Sequence, residues 1–389
     1  MKVLVAHNRY RSDVPSGENV VVDAEIADLR AAGVDVVGAI TRSDDVDLSS
    51  FTGAAEAALG PVYAPRGVPA FRALLRHTRP DVVHVHNVYP LLSPWVVRAA
   101  HAQRIPVVQT IHNFRHDCVA GSYFRDGRIC TACAGTFLGL PAVVHGCYRG
   151  SRLQSVPMAI GRDVHRGTWR SVDRFLALTP FHADFLRSLG VDAERVVVRP
   201  TSAPDRGEPE PAASPDVVVV GRLDEQKGVR LLLEGWRRSR NPHGARLHVV
   251  GDGPLRAEVD AAAAADPAIV VHGVLDAAGV AARIAAAGAV VIPSIGLEGL
   301  PRVLVETLSA GRALAVSDLG GLGASVPDAV GWRFRPTPDA LAGTLEAISP
   351  DAARAKGRAA RQTYLERYTP EVTTGRLLEV YANVAGSRR

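Results

Sequence analysis

Residues 217–236 read VVVVGRLDEQKGVRLLLEGW. The four valines form a short β-branched run with no polar alternation, which predicts a strand covered on both faces. Gly221 ends the run, Arg222 and Lys227 follow in a polar turn, and a helical period begins at about Gly228. A strand, a turn and a helix in so short a span form the repeating unit of a parallel sheet, whose strands need crossovers between them.

The same alternation runs outward in both directions. Upstream, strands are expected at 3–7, 35–40, 81–85, 106–111, 174–178 and 195–199, with helices such as 19–33, 67–78, 94–104 and 180–190. Downstream, strands are expected at 246–250, 269–272, 289–293 and 313–316, with helices near 228–240, 254–265, 276–287 and 301–310. Between the two series lies TSAPDRGEPEPAASPD, residues 201–216, a linker by its proline, serine and acid content. A chain of 389 residues is too long for one ordinary core. The expectation is therefore an α/β protein of two doubly wound Rossmann-like domains facing across a cleft, residues 1–200 and 217–368. A final helix within 369–389, starting at Thr369-Pro370, is expected to pack back toward the first domain.

Composition excludes several classes. With 47% hydrophobic and 22% charged residues the chain is foldable. Its net charge of +5 is carried almost wholly by arginine, since only Lys2, Lys227 and Lys356 are lysine. No dense basic block marks a nucleic-acid arm, while an anionic small molecule or an acidic membrane surface fits the modest excess. The richest apolar stretch, 261–293, is broken by Asp266, His272, Asp276 and Arg283, so no membrane span is expected. The chain opens on MKVLVAH, which reads as a strand and not as a targeting segment. The expected location is cytoplasmic, with peripheral contact at the inner membrane face kept open.

Ligands of such folds sit beyond the carboxyl ends of the strands. There, Arg222 and Lys227 beside a helix start suit phosphate oxygens. Gly251 and Gly253 in HVVGDGP let a flat ring approach the backbone, and VVHGVL (270–275) repeats the edge one strand later, next to position 274. The fourth strand runs into GLEGLPRVLVE, residues 296–306. Pro301 fits the first helical position, and the peptide N–H groups of Gly299 and Leu300 are free to bind. Glu298 and Glu306 bracket this turn. They are either a working pair or ordinary acids complementing a helix dipole.

GRLDEQKG, GDGP and EGLPRVLVETLSAG together resemble the C-terminal domain of family-4 glycosyltransferases, retaining sugar-nucleotide enzymes of GT-B fold. In the first half VLVAHNRY…SGENVVV, DVVHVHNV and TIHNF continue the resemblance over essentially the whole chain. It implies that Arg222 and Lys227 hold the donor diphosphate, that Glu298 contacts the transferred sugar, and that Glu306 contacts the ribose. Gly299 and Leu300 would serve the sugar and phosphates through their N–H groups, and His112 would face the reacting sugar. The family's paired glycine before the first helix is here Ser16-Gly17, with Gly17 on the acceptor side. Ala324 stands where a glutamate is common, beside Gly320 and Gly321. The implied reaction moves a sugar from a nucleotide-diphosphate sugar to an unknown acceptor, with no cofactor needed for catalysis. A GT-B sugar-nucleotide epimerase or phosphorylase, and a non-enzymatic zinc-bearing binding module, are the alternatives.

Three other features invite function. Asp45-Val46-Asp47 resembles a metal-binding acidic motif, but reads as a solvated turn with no strand leading into it. Cys118, Cys130, Cys133 and Cys147 all fall in one insertion, 116–149, and are a structural zinc candidate. His116 or His145 could replace a thiol there, or all four could be plain thiols. Arg162, Arg166 and Arg170, at i, i+4 spacing, predict a basic stripe on one helix face that could meet acidic lipid or an anionic acceptor.

Overall fold

The computed structural model describes residues 1–12, 16–47, 49–211 and 214–386. Its strands are β1 (Lys2–Arg9), β2 (Asp35–Arg42), β3 (Val82–Val85), β4 (Val107–Ile111), β5 (Phe124–Arg125), β6 (Arg128–Ile129), β7 (Arg174–Ala177) and β8 (Val196–Val198), followed by six more. Those are β9 (Val217–Val220), β10 (Leu247–Val250), β11 (Ile269–Gly273), β12 (Ala289–Ile292), β13 (Ala313–Ser317) and β14 (Gly331–Phe334). Two parallel six-stranded sheets result, ordered β2-β1-β3-β4-β7-β8 and β11-β10-β9-β12-β13-β14; β5 and β6 form a separate hairpin. Both sheets are the doubly wound arrangement expected from the continuous apolar strands.

The chain divides into two compact units. One comprises Met1–Tyr123, Cys130–Pro200 and the chain from Thr373 onward; the other comprises Phe124–Ile129 and Thr201–Val372. In the first, strand residues Val3, Val5, Val82 and Val108 pack against Val22 and Leu29 of the helix Gly17–Ala31. Leu377, Val380, Tyr381 and Val384 of the C-terminal helix Pro370–Gly386 complete that face. In the second, alternate residues of the central strands feed opposite faces: Val217 and Val219 of β9 join one core, Val218 the other.

The segment 201–216 is less free than its composition suggests, and its residues 212 and 213 lie outside the described ones. Tyr364 donates its hydroxyl proton to the Ala203 carbonyl at 2.8 Å, and Ser309 does the same to Pro204 at 2.7 Å. Arg361 pairs with Asp205 at 2.8 Å. These bonds pin the start of the segment to the second unit. The strand β14 and the helices Pro338–Ala347 and Pro350–Arg367 have no counterpart among the expected elements.

The sheet order opens the site. From β9 the chain crosses to β10 on one side, whereas β12 lies on the other, so β9 and β12 flank a switch point. They pair only at Ala289↔Val217 and Val290↔Val218, while β9 and β10 stay paired through Val220. Beyond Val218 the two central strands part. That parting opens the crevice at their carboxyl ends.

Candidate functional site

In the second unit an open crevice lies between the parted strands, lined by Gly221, Arg222, Lys227, Pro293, Ser294 and Pro301 among others. The loop after β9 and the loop after β12 are tied together there. The N–H groups of Ile295 and Gly296 both donate to the Gln226 carbonyl, at 2.9 and 3.2 Å. Gly228 supplies the left-handed bend, φ 74°, that starts the helix Val229–Arg238. A Cβ at Gly228 would lie 1.9 Å from the Pro293 carbonyl oxygen, so only glycine lets the loops come this close.

Lys227 and Glu298 meet across this seam. Lys227 Nζ donates to Glu298 Oε1 at 2.6 Å, and Ser294 Oγ donates to the same oxygen at 2.7 Å. The main-chain N–H of Lys227 donates to Asp224 Oδ1 at 2.9 Å, which fixes the turn. Arg222 is looser, half exposed, with Nε 3.4 Å from Asp224 Oδ2. Glu306 holds a different partner, Arg302 Nη2 at 2.7 Å. Burial raises the Glu306 carboxyl above its ordinary range, against the pull of Arg302 and Arg206.

Several expectations need correction. Pro301 is not the first helical residue: with ψ 132° it is the extended residue before the helix Arg302–Ser309. The N–H groups of Gly299 and Leu300 make no main-chain hydrogen bond among the described residues. Gly251, at φ 133°, is demanded by the protein itself, because a Cβ there would lie 1.9 Å from the Gly221 carbonyl oxygen. At Gly253 a Cβ would meet the Leu223 main chain at 2.6 Å, so the packing of the loop after β9 itself requires both glycines. The glycine of the next strand is Gly273; position 274 is the exposed Val274. At Gly17 a Cβ would meet nothing within 4 Å, so no steric demand explains that glycine. Ser16 caps its helix by accepting from the Asn19 N–H.

In the first unit His112 follows β4 directly and lines a pocket with His86, Glu18 and Arg115. His112 Nε2 lies 2.9 Å from His86 Nδ1. His86 Nε2 in turn lies 3.2 Å from Glu25 Oε1, and Glu25 Oε2 is bonded by Arg199. His84 Nδ1 reaches the same Glu25 oxygen at 3.1 Å and Tyr381 Oη at 2.6 Å. Burial alone would push Glu25 up, yet Arg199 and His84 pull its carboxyl well below the usual range. Glu25 Oε1 and His86 Nε2 are buried and make no well-aligned hydrogen bond, so the contact is electrostatic. Burial and the neighbouring His86 hold His112 well below its ordinary pKa, so its ring is neutral.

Glu25, Glu18 and Arg115 are absent from the sequence expectations. Glu25 had a signal: it shares the buried stripe of its helix with Val22 and Leu29. A carboxylate there needs a buried partner.

The remaining candidates resolve as follows. A strand, β2, does lead toward Asp45-Val46-Asp47, ending at Arg42 before the short 3-10 turn Ser43–Asp45. Asp47 accepts from the N–H and Oγ of Ser49 at 2.9 and 2.6 Å, a turn as expected. Arg162, Arg166 and Arg170 do not form one stripe, because the helix Arg152–Val164 ends before Arg166. Arg162 is buried and donates to the carbonyls of Asp117 and Cys133 at 3.0 and 2.8 Å, clamping the cysteine-bearing insertion. Among the described residues the one group of three or more His, Cys, Asp and Glu ligand atoms within 4.8 Å is Glu25, His84 and His86. Cys118, Cys130, Cys133 and Cys147 carry no disulfide and lie outside that group, and Cys133 Sγ donates to the Gly139 carbonyl at 3.9 Å.

Comparison with known proteins adds the following. The family described as "Glycosyl transferases group 1" matches residues 214–351, and the "Glycosyl transferase 4-like domain" matches residues 16–202. The phosphatidyl-myo-inositol mannosyltransferase of Mycobacterium leprae is 26% identical over 401 residues, 97% of this chain and 96% of that one. The protein of that name from Mycobacterium tuberculosis H37Rv is 32% identical over 190 residues, 46% of this chain and 49% of that one. Sucrose-phosphate synthase from Thermosynechococcus elongatus superposes with a TM-score of 0.69 at 19% identity, over 99% of each chain. Anabaena HepE in complex with UDP-glucose gives 0.66 at 14% identity, over 98% of this chain and 100% of that one. At such identities the structures show the fold.

Proposed function

Since this chain belongs to the family-4 glycosyltransferases of GT-B fold, we propose that it is a retaining enzyme using a nucleotide-diphosphate sugar. The observation that carries this reading is the seam at the β9/β12 switch point, where Lys227, Ser294 and Glu298 converge beside free peptide N–H groups. Lys227 and Arg222 neutralise the donor diphosphate, whose charge grows as it leaves. Glu298, an acceptor-only carboxylate, takes hydrogen bonds from hydroxyls of the sugar, and Glu306 from the ribose. The HepE complex with UDP-glucose supports a donor of this class.

In the transfer the bond from the anomeric carbon to the diphosphate oxygen breaks. The acceptor oxygen forms its bond on the same face, and its proton passes to the departing phosphate. Cations from the protein serve the leaving group, so no catalytic metal is needed. Neutral His112 meets its ligand as a hydrogen-bonding ring and not as a cation.

The test is a panel of sugar nucleotides, first by thermal shift and then by turnover with candidate acceptors, with and without EDTA. The expected product keeps the donor's anomeric configuration by NMR, and its rate survives chelation. An inverted product overturns the mechanism. Loss of turnover on chelation, with the melting temperature unchanged, overturns the metal-free reading.

A further inference from the structure

Arg115 makes no hydrogen bond through its buried Nε and Nη1, and forms no ion pair among the described residues. Its guanidinium lies 5.8 Å from the ring centre of Tyr89 and 5.6 Å from that of Tyr148. The side chain lines the pocket that also holds His112 and Glu18. Aromatic faces stabilise a cation but offer no oxygen to its N–H groups. A buried guanidinium left in that state is costly, and proteins normally supply an acceptor.

The other titratable groups facing the pocket place no acceptor on those two nitrogens. Burial lowers His86 to about 4 and His116 to about 3, and His112 falls for the same cause, so all three rings are neutral. Burial raises the phenols of Tyr10 and Tyr89. Burial also pushes the Glu18 carboxyl up to about 7, where Tyr10 Oη donates to its Oε2 at 3.0 Å. Glu18 and Arg115 attract one another across the chamber, yet among the described residues no oxygen reaches the buried Nε or Nη1 of Arg115. The donor diphosphate already has its cations, Lys227 and Arg222, in the other unit.

We propose that Arg115 reads an oxyanion on the acceptor, a phosphate or a carboxylate, seated in the pocket beside His112. The inference rests on the glycosyl-transfer reading of that pocket, and deepens it by naming the acceptor's class. Either oxyanion brings the oxygens that the free N–H groups lack. The tyrosine rings then flank the charged group or the ring that bears it.

Calorimetry on the full chain tests this, with inorganic phosphate, glucuronate and glucose as probes, and UDP as the donor-side control. Wild type should bind phosphate or glucuronate saturably, and the preferred probe identifies which oxyanion the acceptor carries. Arg115→Gln should weaken that binding by about tenfold or more, leaving glucose and UDP unchanged. Equal affinity in wild type and R115Q, or no saturable binding of either anion by wild type, overturns the proposal. Failure of UDP to bind any variant instead strikes the donor reading, so the two are separable. Should R115Q not fold, Glu18→Gln serves. Glucuronate should bind E18Q severalfold more tightly than wild type at about pH 8, where Glu18 is ionised, and about equally at about pH 5.5. No tightening at the higher pH overturns the proposal as well.

Discussion

Replacing Lys227 and Glu298 by alanine, singly and together, separates the diphosphate role from the sugar role. In the free protein the two side chains form an ion pair at 2.6 Å, with 37% of the lysine side chain still exposed. A pair so exposed is screened by water and is worth about 0–1 kcal/mol. A charge-assisted bond to a diphosphate oxygen is worth about 1.5–3 kcal/mol. Lys227→Ala loses the second and, where the pair must loosen for the ligand, recovers part of the first. The net is roughly 1–2.5 kcal/mol, or about 5- to 70-fold in the Kd for UDP. Glu298→Ala frees Lys227 instead, so UDP should bind within about threefold of wild type, while transfer falls by about a hundredfold through lost sugar positioning. The double variant should bind UDP as Lys227→Ala does, because Glu298 has no contact with the nucleotide to lose. Titration calorimetry with UDP and steady-state turnover of the sugar donor read the two effects apart. If Glu298→Ala transfers at the wild-type rate and only its melting temperature drops, Glu298 serves the helix and loop, not the sugar. If Lys227→Ala binds UDP as wild type does, the seam is not the diphosphate site.

Glu25→Gln leaves Arg199 buried without a counter-charge, and should cost about 3–5 kcal/mol in urea unfolding, a loss that a surface-like value below 1 kcal/mol would contradict. His7 and His86 are lowered by burial to about 4 from 6.5, so the unfolded chain binds more protons between those values. Stability should therefore fall as pH drops from about 7 to 5, by about 2–4 kcal/mol for the two together, and melting temperatures that rise instead would reverse the sign. Gly251→Ala should lose several kcal/mol or fail to accumulate as folded protein, given the 1.9 Å approach and φ 133°; a melting temperature within a few degrees of wild type would show that the β9 loop yields. Metal analysis of the purified protein tests the cysteine insertion, with about one zinc per chain on the structural-zinc reading and four titratable native thiols on the other.

Much of the site was legible because its signals are local. The valine run of β9 and the glycine turn after it specify strand and loop within a few residues, and Arg222 and Lys227 travel with them. The helix after Glu298 was legible too, though its first residue was one off, since an extended ψ at Pro301 leaves no mark in the periodicity. The arginine stripe failed for a similar reason. Regular i, i+4 spacing assumed an unbroken helix, but the chain turns at His165, so Arg166 and Arg170 lie on another helix while Arg162 is buried on its own.

By itself the sequence determined the repeating strand–helix units, the doubly wound class and which loops carry cations, carboxylates and glycines. Those properties depend on hydrophobic period and turn chemistry, which act over one or two turns of chain. Only the tertiary structure decided that Lys227 meets Glu298, 71 residues away, and that Arg199 neutralises Glu25 at a separation of 174. It also decided that Nε and Nη1 of Arg115 have no acceptor among the described residues. Such pairings follow strand order, and no local pattern encodes which distant segments a sheet sets side by side.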